Sequence, residues 1–458
     1  MKRTKIVCTI GPTSDKKATL KRLIKSGMNV ARLNFSHNVH AYHFEVLKRV
    51  RALGKELKQP VGVLVDLQGP RIRLGDLPEK GVKLVRGKKV VFTTAEKVKK
   101  GQIDLTYKDM HRDVKKGERI LISDGLIELK IEKVSGSEIT AKVINGGVVT
   151  SHKGINLPDT DVKIAAISDK DRLDAEFAVK NKADFVALSF VRRAKDVHDL
   201  RKLLATIEKR LSAKGGPAYG GKNQKPIMII VKIERKEAVD NFDEILAACD
   251  GVMVARGDLG TELGVAYVPI IQKMIIDKCI VAAKPVIVAT QMLESMINSP
   301  RPTRAEASDV ANAVIDHTDA VMLSGETASG KFPVEAVKMM KQIVENTEQS
   351  VYDDYVLEKK AQMLSGEGAV MGQVAKLLSE NTKTKLILGA TMSGHTGRVL
   401  SRFRPETDIY MACTEDRIKN QLSLSWGVRP FSLSLCRSLE ELTTKGKNYL
   451  KKIKVVRK

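Results

Sequence analysis

Short runs of aliphatic and β-branched residues recur along the chain. Each is followed by a segment in which apolar positions return every three or four residues. Eight runs stand out: TKIVCTI, MNVARLNF, VGVLVDL, ADFVALSF, IMIIVKI, DGVMVA, PVIVATQ and DAVMLSG. Near-continuous apolar strands are buried on both faces, as in a parallel sheet covered by helices. The helices between them are legible. SDKKATLKRLIKSG is expected to open on a capping Ser14 and close at Gly27, and SDKDRLDAEFAVKNKA to open on Ser168. Eight strand-helix units in roughly 250 residues predict an α/β fold, a (β/α)8 TIM barrel.

The rhythm breaks between about Pro70 and Ile164, where helical spacing vanishes. Strand-turn fragments such as VKLVRGKKVVFTT and ERILISDGLIELKIEKVSGSEITAKVINGGVV predict a small all-β domain inserted after the third strand. Near Tyr352 an α/β alternation resumes. The expected domains are therefore a catalytic barrel over 1–69 and 165–350, an inserted β-barrel cap over 70–164, and a C-terminal α/β regulatory or oligomerisation domain over 351–458. The Gly-rich stretch SAKGGPAYGGKNQKP follows a helix and precedes the fifth strand. It is expected to be a flexible surface loop on the barrel's N-terminal face, away from chemistry.

Composition narrows the class. The 458 residues are 43% hydrophobic and 29% charged but only 4% aromatic, so the core must be mostly aliphatic. No apolar run is long enough to span a bilayer, and Gly11-Pro12 breaks the short run near the start, so neither a membrane partner nor a signal peptide is expected. The five cysteines are odd in number, far apart and without metal-ligand spacing, which fits reduced thiols and a cytoplasmic location. The net charge of +25 raises nucleic-acid binding. The lysines, however, are spread over the whole chain without arginine-aromatic clusters. The charge therefore reads as a solvated surface, and no dedicated nucleic-acid site is expected.

The chemistry gathers where the apolar strands end. Arg32, Asn34, Ser36 and His37 end the second, Asp66 the third, Ser189 the fourth, Lys232 and Glu234 the fifth, Asp258 the sixth, Thr290 the seventh, and Ser324 and Glu326 the eighth. Polar groups at the C-terminal ends of barrel strands converge on one mouth, where such barrels hold their active sites. Residues two apart on a strand face the same way, so Lys232 and Glu234 both face that mouth. With Asp258 one strand over, two carboxylates and room for water suit Mg²⁺ or Mn²⁺, while nothing suits zinc.

Eleven segments, among them TKIVCTIGPTS, VDLQGPRIR, KGINLP, IIVKIERKEAVDN, GVMVARGDLGTELG, VATQMLESMINSPRPTRAEASDVANAV and DAVMLSGETASGKFPVEAV, resemble pyruvate kinase in order and spacing over residues 3 to 435. The resemblance implies phosphoryl transfer from phosphoenolpyruvate to ADP, giving pyruvate and ATP in glycolysis. It implies Glu234 and Asp258 as metal ligands, with Lys232, Arg32 and Thr290 as catalytic groups. The substrate carboxylate would meet the backbone at Ala255, Gly257 and Asp258, where a short helix begins. Arg32 would clamp the phosphoryl group in a bidentate fork. Thr290 would position a proton-donating water, and Arg256 would serve structure. His37, Arg73 and Lys153, with Arg32, fall on the nucleotide side, and Asp124 faces the cleft. The all-β insertion resembles the family's mobile cap, and a homo-oligomer, a tetramer, is implied.

One departure carries its own expectation. Family members that need K⁺ coordinate it through residues matching Asn34, Ser36, Asp66 and the carbonyl of Leu67. Those members carry Thr, Lys and Glu where this chain has Leu67, Gln68 and Arg71. The resemblance is thus to the K⁺-independent branch, and the Arg71 guanidinium can supply the charge that K⁺ otherwise provides. Near the C-terminus, Thr391, Ser393, Gly394 and Thr396 precede a helix and could hold an effector phosphate, or simply form a strand-to-helix turn. The chain looks short at this end against the family, so effector activation is unsupported. The competing readings are a metal-dependent barrel lyase or aldolase acting through an enolate, and a basic nucleic-acid binder.

Overall fold

The computed structural model describes residues 2–213, 225–353, 367–382 and 384–455. Most of the Gly-rich stretch expected to be a surface loop lies outside them. Eight parallel strands close into a barrel in chain order: Lys5–Thr9, Val30–Asn34, Gly62–Asp66, Phe185–Leu188, Met228–Ile233, Gly251–Ala255, Val286–Ala289 and Ala320–Leu323. The first strand pairs with both the second and the eighth, which closes the ring. All eight predicted runs are therefore strands.

The double burial of these strands has a direct physical reading. Alternate side chains, Val7, Val30, Leu64, Phe185, Ile230, Met253 and Ile287 among them, fill the barrel interior. The intervening ones, such as Ile6, Val63, Val186, Ile229 and Val252, pack outward against helices. Neither phase can be polar until the strand reaches the mouth. Met228 and Ile230 are inward, so Lys232 continues the inward phase at the tip.

Helix boundaries follow local chemistry with one correction. Ser168 caps helix Asp169–Lys180 in a capping box with Asp171, as its sequence indicates. Gly27 ends helix Lys17–Ser26 with φ of 126°. Ser14, expected to cap that helix, does not: Lys16 is the cap residue and offers no side-chain bond. The Ser14 hydroxyl instead accepts the Gly11 N–H at 3.1 Å, closing the Gly11-Pro12 turn one step earlier.

The inserted segment forms a six-stranded mixed sheet and a two-stranded sheet around its own apolar cluster, which includes Phe92, Ile120, Leu129 and Ile139. Helical spacing does not vanish from it altogether, since Met110–Asp113 makes one helical turn. The C-terminal unit is a three-stranded parallel sheet, Ile387–Thr391, Ile409–Cys413 and Val428–Ser432, flanked by helices. It packs on the barrel's N-terminal end, opposite the mouth: Lys5 Nζ donates to the Val428 carbonyl at 2.7 Å, and Gln421 donates to the Asp184 carbonyl at 3.1 Å. Among the described residues no helix is long and apolar enough to cross a membrane.

Candidate active site

The register between neighbouring strands brings the tips together. Asn34 is level with Asp66, Asp66 with Ala187, and Lys232 with Met253. At the centre stands Lys232, whose ammonium lies 2.8 Å from Glu234 Oε1, 3.6 Å from Asp66 Oδ1 and 2.9 Å from the Ser189 hydroxyl. The Ser189 hydroxyl in turn donates a hydrogen bond to the Leu67 carbonyl at 2.8 Å. Arg32 spends Nε on Asp66 at 2.6 Å and Nη1 on the Thr9 hydroxyl at 2.8 Å. Among the described residues its Nη2 makes no protein hydrogen bond and remains for a ligand.

The electrostatics follow from two cations and two carboxylates buried within contact distance. Burial pushes the Lys232 ammonium down, but Asp66 and Glu234 outweigh it, and its pKa is raised, so it stays charged at neutral pH. Burial likewise pushes the Asp66 carboxyl up, yet Lys232 and Arg32 hold it below the usual range. Glu234 is different: burial lifts it above the usual range, with Asp258 adding to the rise and Lys232 opposing it. Asp258 thus acts on Glu234 through the same basin. One Glu234 oxygen accepts the Phe190 N–H at 2.6 Å. The other, buried, meets Lys232 as an ion pair without hydrogen-bond alignment. A buried carboxylate oxygen without a hydrogen bond, close enough to a second carboxylate to be raised by it, fits a hard divalent cation. No cluster of three or more His, Cys, Asp or Glu metal ligands occurs among the described residues, so such an ion would draw its remaining ligands from substrate and water.

Asp258 does not end a strand. It lies in the first turn of helix Arg256–Leu263, which starts directly after the sixth strand with Ala255 as its cap residue. Of the backbone groups expected to meet a substrate carboxylate, the Gly257 N–H already donates to Thr290 Oγ1 at 2.9 Å. Thr290 in turn donates to the Ala289 carbonyl at 2.6 Å. Thr290 holds a φ of 69° and Gln291 one of 53°, a conformation unfavourable for a β-branched residue. Arg256 explains how it persists: its guanidinium donates to the Thr290 carbonyl at 2.8 Å and pairs with Asp309 at 2.8 Å.

Arg71 is placed unexpectedly. It reaches Asp124 of the cap at 3.2 Å and Asp258 of the barrel at 3.5 Å, and among the described residues it makes no hydrogen bond or ion pair with Asn34, Ser36 or Asp66. Three members of that expected monovalent set have protein partners: Asn34 Oδ1 accepts the Ser36 N–H at 3.1 Å, Asp66 pairs with two cations, and the Leu67 carbonyl accepts from Ser189. Arg73 lies beside Arg71 and donates to the His152 carbonyl at 2.9 Å. His37 and Lys153 are exposed. At the C-terminal turn, Thr391 Oγ1 accepts the Gly394 N–H at 2.9 Å and Ser393 Oγ accepts the His395 N–H at 3.3 Å. Amides that a phosphate would use are thus bonded within the turn, and Thr396 follows inside helix His395–Arg402.

Sequence reasoning missed Thr9, Phe190, Asn156 and Glu262. Thr9 orients Arg32, and the Phe190 amide orients Glu234. Asn156 of the cap donates to the buried Glu262 at 3.1 Å, tying the cap to the helix that carries Asp258. Only Thr9 had a signal, as the polar end of an apolar strand.

Two family descriptions match the chain: "Pyruvate kinase, barrel domain" over residues 1–337 and "Pyruvate kinase, alpha/beta domain" over residues 369–458. The chain is 39% identical to pyruvate kinase of Clostridium perfringens, over 99% of this chain and 94% of that one. It is 40% identical to pyruvate kinase of Clostridium acetobutylicum, over 96% of this chain and 91% of that one. A crystal structure of a pyruvate kinase from Cryptosporidium parvum superposes with a TM-score of 0.91 at 36% identity, covering 99% of this chain and 92% of that one.

Proposed function

Because the chain belongs to the pyruvate kinase family, we propose that its strand-tip basin carries out the family's phosphoryl transfer through the residues described above. The reaction is phosphoenolpyruvate plus ADP and a proton giving pyruvate plus ATP. The lyase, aldolase and nucleic-acid readings are not favoured by these relatives. The observation that carries the residue assignment is the buried contact set around Lys232, which joins tips of the second, third, fourth and fifth strands.

The roles follow from charge flow. An ADP β-phosphate oxygen forms the new bond to phosphorus, and the bond between phosphorus and the enol oxygen breaks with its electron pair left on that oxygen. Lys232, held charged, faces the growing negative charge and stabilises the transition state more than the substrate. Arg32, fixed by Asp66 and Thr9, offers its free terminal nitrogen to the phosphoryl oxygens. The Thr290 hydroxyl, fixed by the Gly257 N–H and the Ala289 carbonyl, would hold the water that protonates the enolate carbon. Glu234 and Asp258 would hold Mg²⁺ or Mn²⁺, which supplies Lewis-acid neutralisation of phosphoryl and enolate oxygens when bound. Cap contacts through Arg71 and Asn156 would exclude water and so prevent hydrolysis.

K⁺ is not required in this reading: Leu67, Gln68 and Arg71 match the K⁺-independent branch, and Arg71 brings a fixed cation to Asp258 at 3.5 Å. A lactate dehydrogenase-coupled assay with ADP and Mg²⁺, in buffer free of Na⁺ and K⁺, is expected to show full turnover. Turnover that appears only on adding K⁺ would remove the K⁺ claim. No pyruvate under any ionic condition would remove the functional reading itself.

The chain also assembles with copies of itself, a tetramer in this reading. Helix Glu367–Asn381 leaves Val370, Met371, Val374, Leu377 and Leu378 exposed at spacings of one helical face. A contiguous exposed apolar stripe marks an interaction surface. Light scattering after size exclusion is expected to show four chains, and V374D/L378D to give smaller species. A wild-type monomer would refute assembly.

A further inference from the structure

We propose that a groove on the barrel side of the cap hinge is a second small-molecule site, built for a phosphorylated organic metabolite and separate from the strand-tip basin. Its walls are the segment returning from the cap and helix Ala194–Ala213, and its volume is about 660 Å³. That is the size of a cleft for an organic ligand, far more than an inorganic ion occupies. Its lining is two-sided. Ile164, Ala166, Ile167 and Leu203 give an apolar floor, while Lys163, Arg172, Arg193, Lys195 and Lys202 form a cationic rim.

The rim is not neutralised from within. Among the described residues no carboxylate lies within ion-pair distance of Lys163, Arg193, Lys195 or Lys202, and Arg172 has only exposed Asp169 at 3.9 Å. Of the two carboxylates in the groove, Asp196 is committed to the amides of Arg192 and Arg193, at 2.9 and 3.2 Å, and Asp199 is exposed to solvent and in no ion pair with the rim. Five like charges around one concavity repel each other, and a phosphate dianion relieves that repulsion. An apolar floor beside it accommodates the ester's carbon body.

The location gives the site a consequence. Buried Arg192 donates to the Val162 and Ile164 carbonyls, the latter at 2.7 Å, and so moors the returning segment to the barrel. Lys163 lies between those two carbonyls and projects into the groove lining. A ligand gripped by Lys163 on one wall and by Lys195 and Lys202 on the other spans the hinge and restrains it. Cap motion gates water exclusion, so occupancy alters turnover without touching the reacting groups.

The test is calorimetry of the full chain with ribose 5-phosphate, and with inorganic phosphate in a parallel arm, alongside hydrogen exchange over residues 162–167. The wild type is expected to bind the ester at least about tenfold more tightly than inorganic phosphate, and K195E/K202E to weaken the ester by about tenfold or more. Exchange over the hinge slows on binding in the wild type only. Both substituted lysines are exposed on helix Ala194–Ala213 and make no bond to the Lys232 contact set, so turnover without the ester stays unchanged and confirms folding. Absence of binding, an affinity indifferent to the charge reversal, or equal affinity for inorganic phosphate would each overturn the proposal. Because the readout is binding, it stands or falls independently of the catalytic reading.

Discussion

Lys232→Met is expected to lower kcat by about 10²-fold or more, the scale for removing one preorganised group that stabilises developing charge. Met preserves the aliphatic stem along the inward phase of the fifth strand and removes only the charge. The surroundings sharpen the expectation. Three neighbours, Glu234, Asp66 and Ser189, fix the ammonium within 3.6 Å, so it needs little reorganisation as charge develops. The loss should fall on kcat more than on KM for phosphoenolpyruvate, because charge on the enol oxygen peaks in the transition state. Steady-state kinetics at saturating Mg²⁺ measures this, with circular dichroism to confirm folding. An unchanged kcat takes Lys232 out of the chemistry and returns it to a structural ion pair.

Asp319→Ala is expected to destabilise the chain by about 3–5 kcal/mol, the cost of removing one partner from a buried ion pair. The Asp319 carboxylate sits at the foot of the eighth strand and accepts from three parts of the molecule: the Val286 N–H of the barrel at 3.2 Å, Arg404 Nη2 at 3.0 Å and the Trp426 N–H at 2.9 Å. Arg404 also lies 5.2 Å over the Trp426 ring and donates to the His317 carbonyl at 2.9 Å. Without Asp319 a buried guanidinium keeps only neutral acceptors, the His317 and Ser401 carbonyls and the Ser401 hydroxyl, and loses its counter-charge in the seam between the barrel and the C-terminal unit. Trp426 is the sole tryptophan, so its emission reports this seam directly. A red shift in the folded variant, an earlier emission transition on heating and recovery in D319L/R404M are the expected results. An emission spectrum and midpoint equal to wild type would show that the seam rests on other contacts.

The two predictions probe parts of the chain that were unequally legible. Lys232 and Glu234 could be read as a facing pair because strand alternation is local geometry, and the pair is in contact. The eight strands could be read because a strand buried on both faces must be apolar throughout. Asp319 and Arg404 could not. They are 85 residues apart, and nothing near either one indicates that they meet. Ser14 misled because a serine ahead of a helical pattern satisfies the capping rule even when a Gly-Pro turn claims its hydroxyl first. Arg71 was expected beside the Asn34, Ser36 and Asp66 oxygens, and it pairs instead with Asp124 and Asp258. That it spans from the cap to Asp258 is a fact of how the inserted domain lies on the barrel.

Alone, the amino-acid order determined the barrel, the β insertion, the polar tips and the family, since periodicity, turn chemistry and long motifs are properties of neighbouring residues. Three-dimensional packing decided which tips share a basin, which donors Arg32 keeps for a ligand, how Arg256 holds the unfavourable backbone at Thr290, and where cations crowd beside the hinge. The reason is physical: burial and charge coupling depend on distances between segments remote in sequence, and those distances exist only once the strands have closed and the cap has settled on them.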